Sequence, residues 1–406
     1  MRTLLLFILI SFVACSPMVQ KAQGALVPKV KGLYVDDFDK ILGNTIREDS
    51  LLNFAMVNEF NYLTLYRLHM VNEKYDLTNV KSAKVLANFI KKAKVNYGIQ
   101  QIGGAGENFP FFRDVLSQYN QQHADSLQKF NVFNLEFEFW VPNAVNNAYC
   151  SAYLKPQGYS CDTSGAFSFY IKSLYSIDSL AHLLGVLSET YLGWTNPSQS
   201  RQVGNTCDRV LLLDYVQNDK ELYAYAQKRL HYFKYCTKKV TLLPIFSAEG
   251  GTPACGTTEF MGAWLGANTE DEAYASLMSD YNASTGTWKS NLDIAGYQWF
   301  DYSCLKANLN SKLRITTGMA PAREDKGLQI FNLEDNQIGL RLLAANSGNA
   351  LITLTGMQGN LIFSQSVAVE KGVQTVQVPV TDIASGLYIV HCFLADGGVL
   401  SSKWIK

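Results

Sequence analysis

Apolar and polar positions between residues 30 and 305 follow two alternating patterns. Short runs rich in Val, Leu, Ile, Tyr and Phe occur at 30–38, 61–68, 96–104, 131–140, 186–194, 209–217, 240–249 and 294–302. Their length and composition predict strands. Between them lie stretches such as 47–60, 82–95, 168–185 and 220–233, with apolar residues three and four apart, which predict helices. Eight strands alternating with helices predict an α/β fold, a closed (β/α)8 barrel spanning residues 25–312. A doubly wound open sheet is the competing arrangement, but no glycine-rich phosphate loop follows the first run.

Beyond residue 313 the pattern changes. Short alternating strands separated by Gly, Asn and Asp turns, with no helical period, predict a small all-β sandwich over 313–406. At the other end, Arg2 and an apolar run from Leu4 to Ala14 predict a secretory signal over 1–24. Ala22-Gln23-Gly24 gives a small-x-small cleavage site. A minority reading takes Phe12-Val13-Ala14-Cys15 as a lipobox that would anchor the chain through a lipidated Cys15. Both readings predict an exported protein, at the cell surface or outside it, with no transmembrane segment in the mature chain.

Lys+Arg and Asp+Glu both total 35, so no basic field points to nucleic acid. Export makes disulfides expected. Cys207 and Cys236 precede the sixth and seventh strands, which places both at the bottom of the barrel. Cys255 and Cys304 belong to its top, and Cys150 and Cys161 share the loop after the fourth strand. The expected pairs are 150–161, 207–236 and 255–304, with Cys392 left over.

Barrel active sites form where the strands end, so polar and aromatic residues there are the candidates. They are Asp36, Asp37, Arg67, Gln101, Gly103, Gly104, Glu136, Glu138, Trp140, Glu189, Trp194, Asp214, Tyr215, Glu249, Gln298, Trp299 and Asp301. The five histidines are scattered, so neither a His-based metal site nor any other cofactor is expected. No nucleophile elbow, P-loop or catalytic cysteine signature is present. Carboxylates, tyrosine and aromatics remain, the residue types of glycoside hydrolysis. In NVFNLEFEFW (131–140), strand alternation puts Asn134, Glu136 and Glu138 on one face. Two carboxyls so placed repel, so one should keep its proton near neutral pH.

The fourth-strand segment resembles the D-x-x-D-x-D-x-E strand of glycoside hydrolase family 18, the chitinases and endo-β-N-acetylglucosaminidases. Here it reads Asn131, Asn134, Glu136, Glu138, with three aspartates replaced. IGGAG (102–106), Asp214-Tyr215 and Trp299 extend the resemblance. It implies Glu138 as general acid, Glu136 orienting the substrate's own acetamido group, Tyr215 holding that group, and Trp299 beneath the scissile sugar. Asn134, Asp214, Trp140, Trp194 and Gln298 are the expected substrate contacts. The implied substrate is a β-linked glycan or glycoprotein containing N-acetylglucosamine. A second enzymatic reading needs no acetamido group: Glu138 as acid/base and Glu249, ending the seventh strand, as nucleophile. A third keeps the barrel as a non-catalytic surface glycan-binding protein. The C-terminal segment, with Met357-Gln358-Gly359-Asn360, Gly386-Leu387-Tyr388 and a final basic strand, resembles the sorting domain of type IX secretion in Bacteroidetes. That implies the type IX machinery as a partner.

Overall fold

The computed structural model describes residues 29–256, 260–309, 328–333, 337–344, 346–356, 361–381, 383–384, 386–395 and 398–405. The expected signal segment, Cys15, the boundary at 312–313 and the turn 357–360 lie outside them.

The N-terminal unit is the closed parallel barrel that the alternation predicts. Its strands are β1 (Val30–Val35), β2 (Tyr62–Leu65), β3 (Gln101–Gly106), β4 (Val132–Leu135), β5 (Leu187–Leu192), β6 (Arg209–Leu213) and β7 (Val240–Ser247). The eighth position is split into β8 (Leu292–Ile294) and β9 (Gly296–Phe300). Neighbours pair in chain order, β6 pairs with β7, and β9 bridges β7 and β1 to close the ring. The break before β9 needs a glycine. Gly296 has φ +151°, and a Cβ there would lie 1.9 Å from the Val30 carbonyl oxygen.

Helices such as Thr45–Val57, Lys84–Asn96, Thr163–Leu184, Leu222–Tyr232 and Glu270–Ala283 cover the outside. The main core lies between them and the outward strand faces, where Leu33, Leu63, Phe133, Leu135, Val210, Leu242 and Trp299 are buried. A separate apolar cluster with Tyr34, Ala105, Tyr191, Leu211, Leu243 and Ile245 fills the barrel interior. Beneath it runs a buried polar layer. Glu189 accepts from Tyr62 at 2.6 Å, from Asn134 at 2.7 Å and from Arg209, which also reaches Gln101 at 3.0 Å. Glu189, Asn134 and Gln101 are therefore members of the barrel filling.

Disulfides join Cys150 to Cys161 and Cys255 to Cys304, as expected. The expected 207–236 bond is absent, and both cysteines are buried thiols. Both sulfurs turn toward helix Pro197–Thr206 instead of toward each other. Cys207 is directed at the Val203 carbonyl, and Cys236 packs over Gly204, facing the carbonyls of Ser200 and Arg201.

The C-terminal unit is all antiparallel. Strands β10 (Gln329–Leu333), β11 (Gln337–Ala344), β12 (Gly348–Gly356), β13 (Leu361–Val369), β14 (Gly372–Pro379), β15 (Leu387–Phe393) and β16 (Val399–Ile405) form sheets β10-β11-β14 and β13-β12-β15-β16. Their buried faces share Ile338, Leu340, Ile352, Leu354, Val378, Val390, Trp404 and the free thiol Cys392. This is the predicted β-sandwich. Among the described residues, no helix is long and apolar enough to cross a membrane.

Candidate active site

β4 ends at Leu135, with one further backbone bond from the Glu136 N–H to the Gly106 carbonyl at 2.9 Å, and the side-chain alternation continues past it. Phe137 and Phe139 turn outward into a nest of rings, Phe137 with Tyr149 and Phe169, and Phe139 with Phe167 and Tyr170. Glu136 and Glu138 are thereby directed to the barrel mouth. There a cavity of about 550 Å³ opens, lined by Glu138, Trp140, Tyr191, Trp194, Leu213, Tyr215, Tyr225, Glu249 and Phe260, with Val141 and Pro142. Of the expected residues, the cavity gathers Glu138, Glu249, Trp140, Trp194 and Tyr215.

Glu138 and Glu249 enter the cavity from strand ends three places apart round the ring. Burial, reinforced by the Glu107 carboxylate, raises the pKa of Glu138. Glu249 accepts from the Ser247 hydroxyl at 2.9 Å. Glu136 sits beside the cavity and receives the Tyr34 hydroxyl. Burial pushes its pKa up to about 8; the Tyr34 bond opposes that rise, and Glu138 and Glu107 add to it. Neither Glu136 nor Glu138 is ion-paired with Lys or Arg among the described residues. Tyr215 and Tyr191 turn their hydroxyls on each other, and burial raises both phenols.

Several expected contacts lie elsewhere. Trp299 faces outward, fully buried against Phe246 and directed at the Glu270 carbonyl, so it is no floor for a sugar. The residue of β9 that faces the mouth is its neighbour Phe300, with ring centroids 6.1 Å from Tyr215 and 5.6 Å from Tyr34. Gln298 is buried in the barrel, donating to Thr64 at 2.7 Å. Asn134 is buried on Glu189. Asp214 points away from the interior with both carboxylate oxygens buried and unpartnered, and burial raises its pKa, opposed by Arg229. Arg229 is held between Trp194 and Tyr225, at 4.9 and 4.7 Å from their ring centroids. Asp36 receives Ser303, Asp37 pairs with Lys40 and Arg67, and Asp301 caps helix Tyr302–Asn308. Burial, then Asp36, pushes the pKa of Asp301 up to about 7. Gly103 is required by packing, since a Cβ there would meet the Tyr62 hydroxyl at 2.5 Å.

Glu107, Tyr34, Tyr149, Tyr153, Tyr191 and Phe300 belong to the site or its surround and were not among the sequence candidates. Glu107 directly follows IGGAG, so its strand-end position was a usable signal. The tyrosines carry none, because burial decides their role. A cluster of Asp178, His182 and Asp208, with ligand atoms within 4.8 Å, lies beside the start of β5. His182 already bridges the two carboxylates, and Ser188 donates to both.

No protein-family model matches the sequence, and no curated protein matches it. Solved structures match at low similarity. The β-glucuronidase of Bacteroides uniformis is 10% identical over 92% of this chain and 45% of its own, with TM-score 0.40. An aldolase from Escherichia coli K12 is 11% identical over 67% of this chain and 74% of its own, with TM-score 0.34. An immunoglobulin-like β-sandwich protein from Bacteroides vulgatus is 14% identical over 20% of this chain and 83% of its own, with TM-score 0.17. The chain thus spans less than half the length of the β-glucuronidase.

Proposed function

We propose that the protein is a glycoside hydrolase in which Glu138 is the acid/base and Glu249 the nucleophile. The observation that carries this reading is that the two carboxyls share one open, aromatic-walled cavity at the C-terminal ends of the strands. Glu138, its pKa raised by burial, is suited to hold a proton and give it to the glycosidic oxygen as that bond breaks. Glu249 attacks the anomeric carbon to form a glycosyl ester. Water, deprotonated by Glu138, then releases the sugar with its configuration retained. Trp140 and Trp194 offer flat faces for pyranose rings.

The acetamido-assisted route asks for Glu136 and Tyr215, but Glu136 is engaged by Tyr34, and the Tyr215 hydroxyl by Tyr191. The two-carboxylate route needs neither, and it accepts glycans with or without N-acetylglucosamine. An open mouth and a carboxyl free of Lys or Arg support an enzyme over a non-catalytic binding barrel. Export rests on the N-terminal segment from Arg2 to Ala14, and a sorting role for the β-sandwich on its resemblance to type IX sorting domains; both are part of the same proposal.

The test is to incubate the protein with chitooligosaccharides, N-glycosylated protein and a panel of aryl glycosides. Product masses name the bond, and NMR of the first-formed anomer reads the stereochemistry. Retained products that disappear in Glu138→Gln and Glu249→Gln are expected. Inverted products would sink the nucleophile assignment, and no products from any substrate would sink the enzyme.

A further inference from the structure

The loop after β4 packs back onto the segment that carries Glu138. Tyr149 stacks on Phe137 with centroids 4.1 Å apart and planes at 21°, and its hydroxyl faces the Glu138 backbone N–H at 3.5 Å. One turn later Tyr153 meets Phe137 edge-on at 5.9 Å and donates its hydroxyl to Glu107 at 2.5 Å. Between these tyrosines sits Cys150, bonded to Cys161 eleven residues on. Asp162 then caps helix Thr163–Leu184, accepting from the Gly165 N–H at 2.8 Å. The loop is thus fixed at one end by a covalent bond beside a capped helix, and its two rings pack on the Phe137 ring between Glu136 and Glu138.

We propose that Tyr149, Tyr153 and Glu107 are positioning residues that clamp Glu138 at the cavity, with the Cys150–Cys161 bond holding the clamp closed. This rests on the glycosidase reading of Glu138. Glu107 is a fourth carboxylate near the mouth, after Glu136, Glu138 and Glu249, and is not among the residues lining the cavity. Its tie to Tyr153 fixes it where its charge acts on Glu138. The other titratable groups around Glu138 are Glu136 on its own segment, Tyr66 after β2, Tyr149 on the loop, Tyr191 on β5, and Tyr215, Tyr225 and Glu249 across the cavity. Arg67 acts on Tyr66. Glu107 is the carboxylate that the loop holds, through Tyr153.

The experiment follows the Glu138 side-chain carboxyl by carbon NMR, its signal assigned by its loss in Glu138→Gln. In the parent and in Glu107→Gln the titration midpoint is read alongside activity. The variant should lower that midpoint by about half a pH unit or more, since a like charge has gone. Tyr149→Phe should lower kcat about tenfold with KM unchanged, as expected for a displaced acid. The double variant Cys150→Ser/Cys161→Ser should show both effects; if it does not fold, the other two variants carry the test. An unmoved midpoint in Glu107→Gln, in a chain that melts normally, overturns the proposal. A shifted midpoint in a protein that cleaves no glycan leaves the clamp standing and removes the enzymatic reading instead.

Discussion

Tyr34, near the end of β1, donates its hydroxyl to Glu136, three strands away round the ring. This bond favours the charged carboxylate, but burial outweighs it, and Glu138 and Glu107 add to the rise, so Glu136 titrates at about 8. In the unfolded chain the same group titrates at its ordinary 4.5. Between those values the folded state keeps a proton that the unfolded state has lost. Stability from this group is therefore full below about 4.5 and falls as pH rises toward 8. Glu136→Gln cannot ionise. From pH 5 to pH 9 it should gain on the parent by on the order of 2–4 kcal/mol in urea denaturation. An equal difference at both pH values would refute the buried, proton-retaining Glu136.

On the proposed glycosidase reading, the two cavity carboxyls should fail differently. Glu138→Gln removes the proton donor, so hydrolysis of natural glycosides should fall about 10²–10⁴-fold. Aryl glycosides whose leaving group needs no proton should form the glycosyl-enzyme at near the parent rate. Glu249→Gln removes the atom that bonds to the sugar, and both substrate types should be lost. Equal loss of both substrates in Glu138→Gln would remove its role as acid.

Much of this arrangement was legible in the chain because the barrel imposes strong patterns. Strand runs and helical periods marked the alternation, and the polar face of 131–140 pointed Glu136 and Glu138 the right way. The face of the last strand was not legible. Tyr297 and Trp299 pack under helices while Gln298 and Phe300 face inward. With both faces buried, polarity does not alternate, and the aromatic pair Trp299-Phe300 offers no clue to which ring turns inward. Cys207 and Cys236 were placed together at the barrel bottom and expected to bond, but they remain free thiols, because sulfur direction depends on packing over Gly204, which no spacing records.

That slip of one residue yields a paired prediction. Phe300→Ala should raise KM or lower kcat while costing little more than its lost contacts with Tyr34 and Tyr215. Trp299→Ala should leave the kinetic constants of the folded protein unchanged and cost about 3–5 kcal/mol, the usual loss for a fully buried large ring. Trp194, 53% exposed and braced by Arg229, should behave as a pure binding face, with Trp194→Ala raising KM at constant kcat. A kinetic defect in Trp299→Ala without loss of stability would restore it as a substrate contact.

The cysteines give the last prediction. Bonds 150–161 and 255–304 close loops with sequence separations of 11 and 49 residues. Constraint of the unfolded chain then contributes about 3 and about 4 kcal/mol respectively. Cys255–Cys304 also ties the segment after Glu249 to helix Tyr302–Asn308, so its removal should loosen the proposed nucleophile Glu249 as well as the fold. Cys207, Cys236 and Cys392 are buried thiols, and burial raises the pKa of each, to about 11 for Cys236 and Cys392. The folded protein should therefore leave these three unlabelled by an alkylating reagent at neutral pH, because too little thiolate is exposed to react. After denaturation without reductant all three should label, while Cys150, Cys161, Cys255 and Cys304 label only once reduced. Peptide mapping by mass spectrometry reads every one of these positions. A peptide pair joined through Cys207 and Cys236 would show that the two sulfurs turn from the helix carbonyls toward each other.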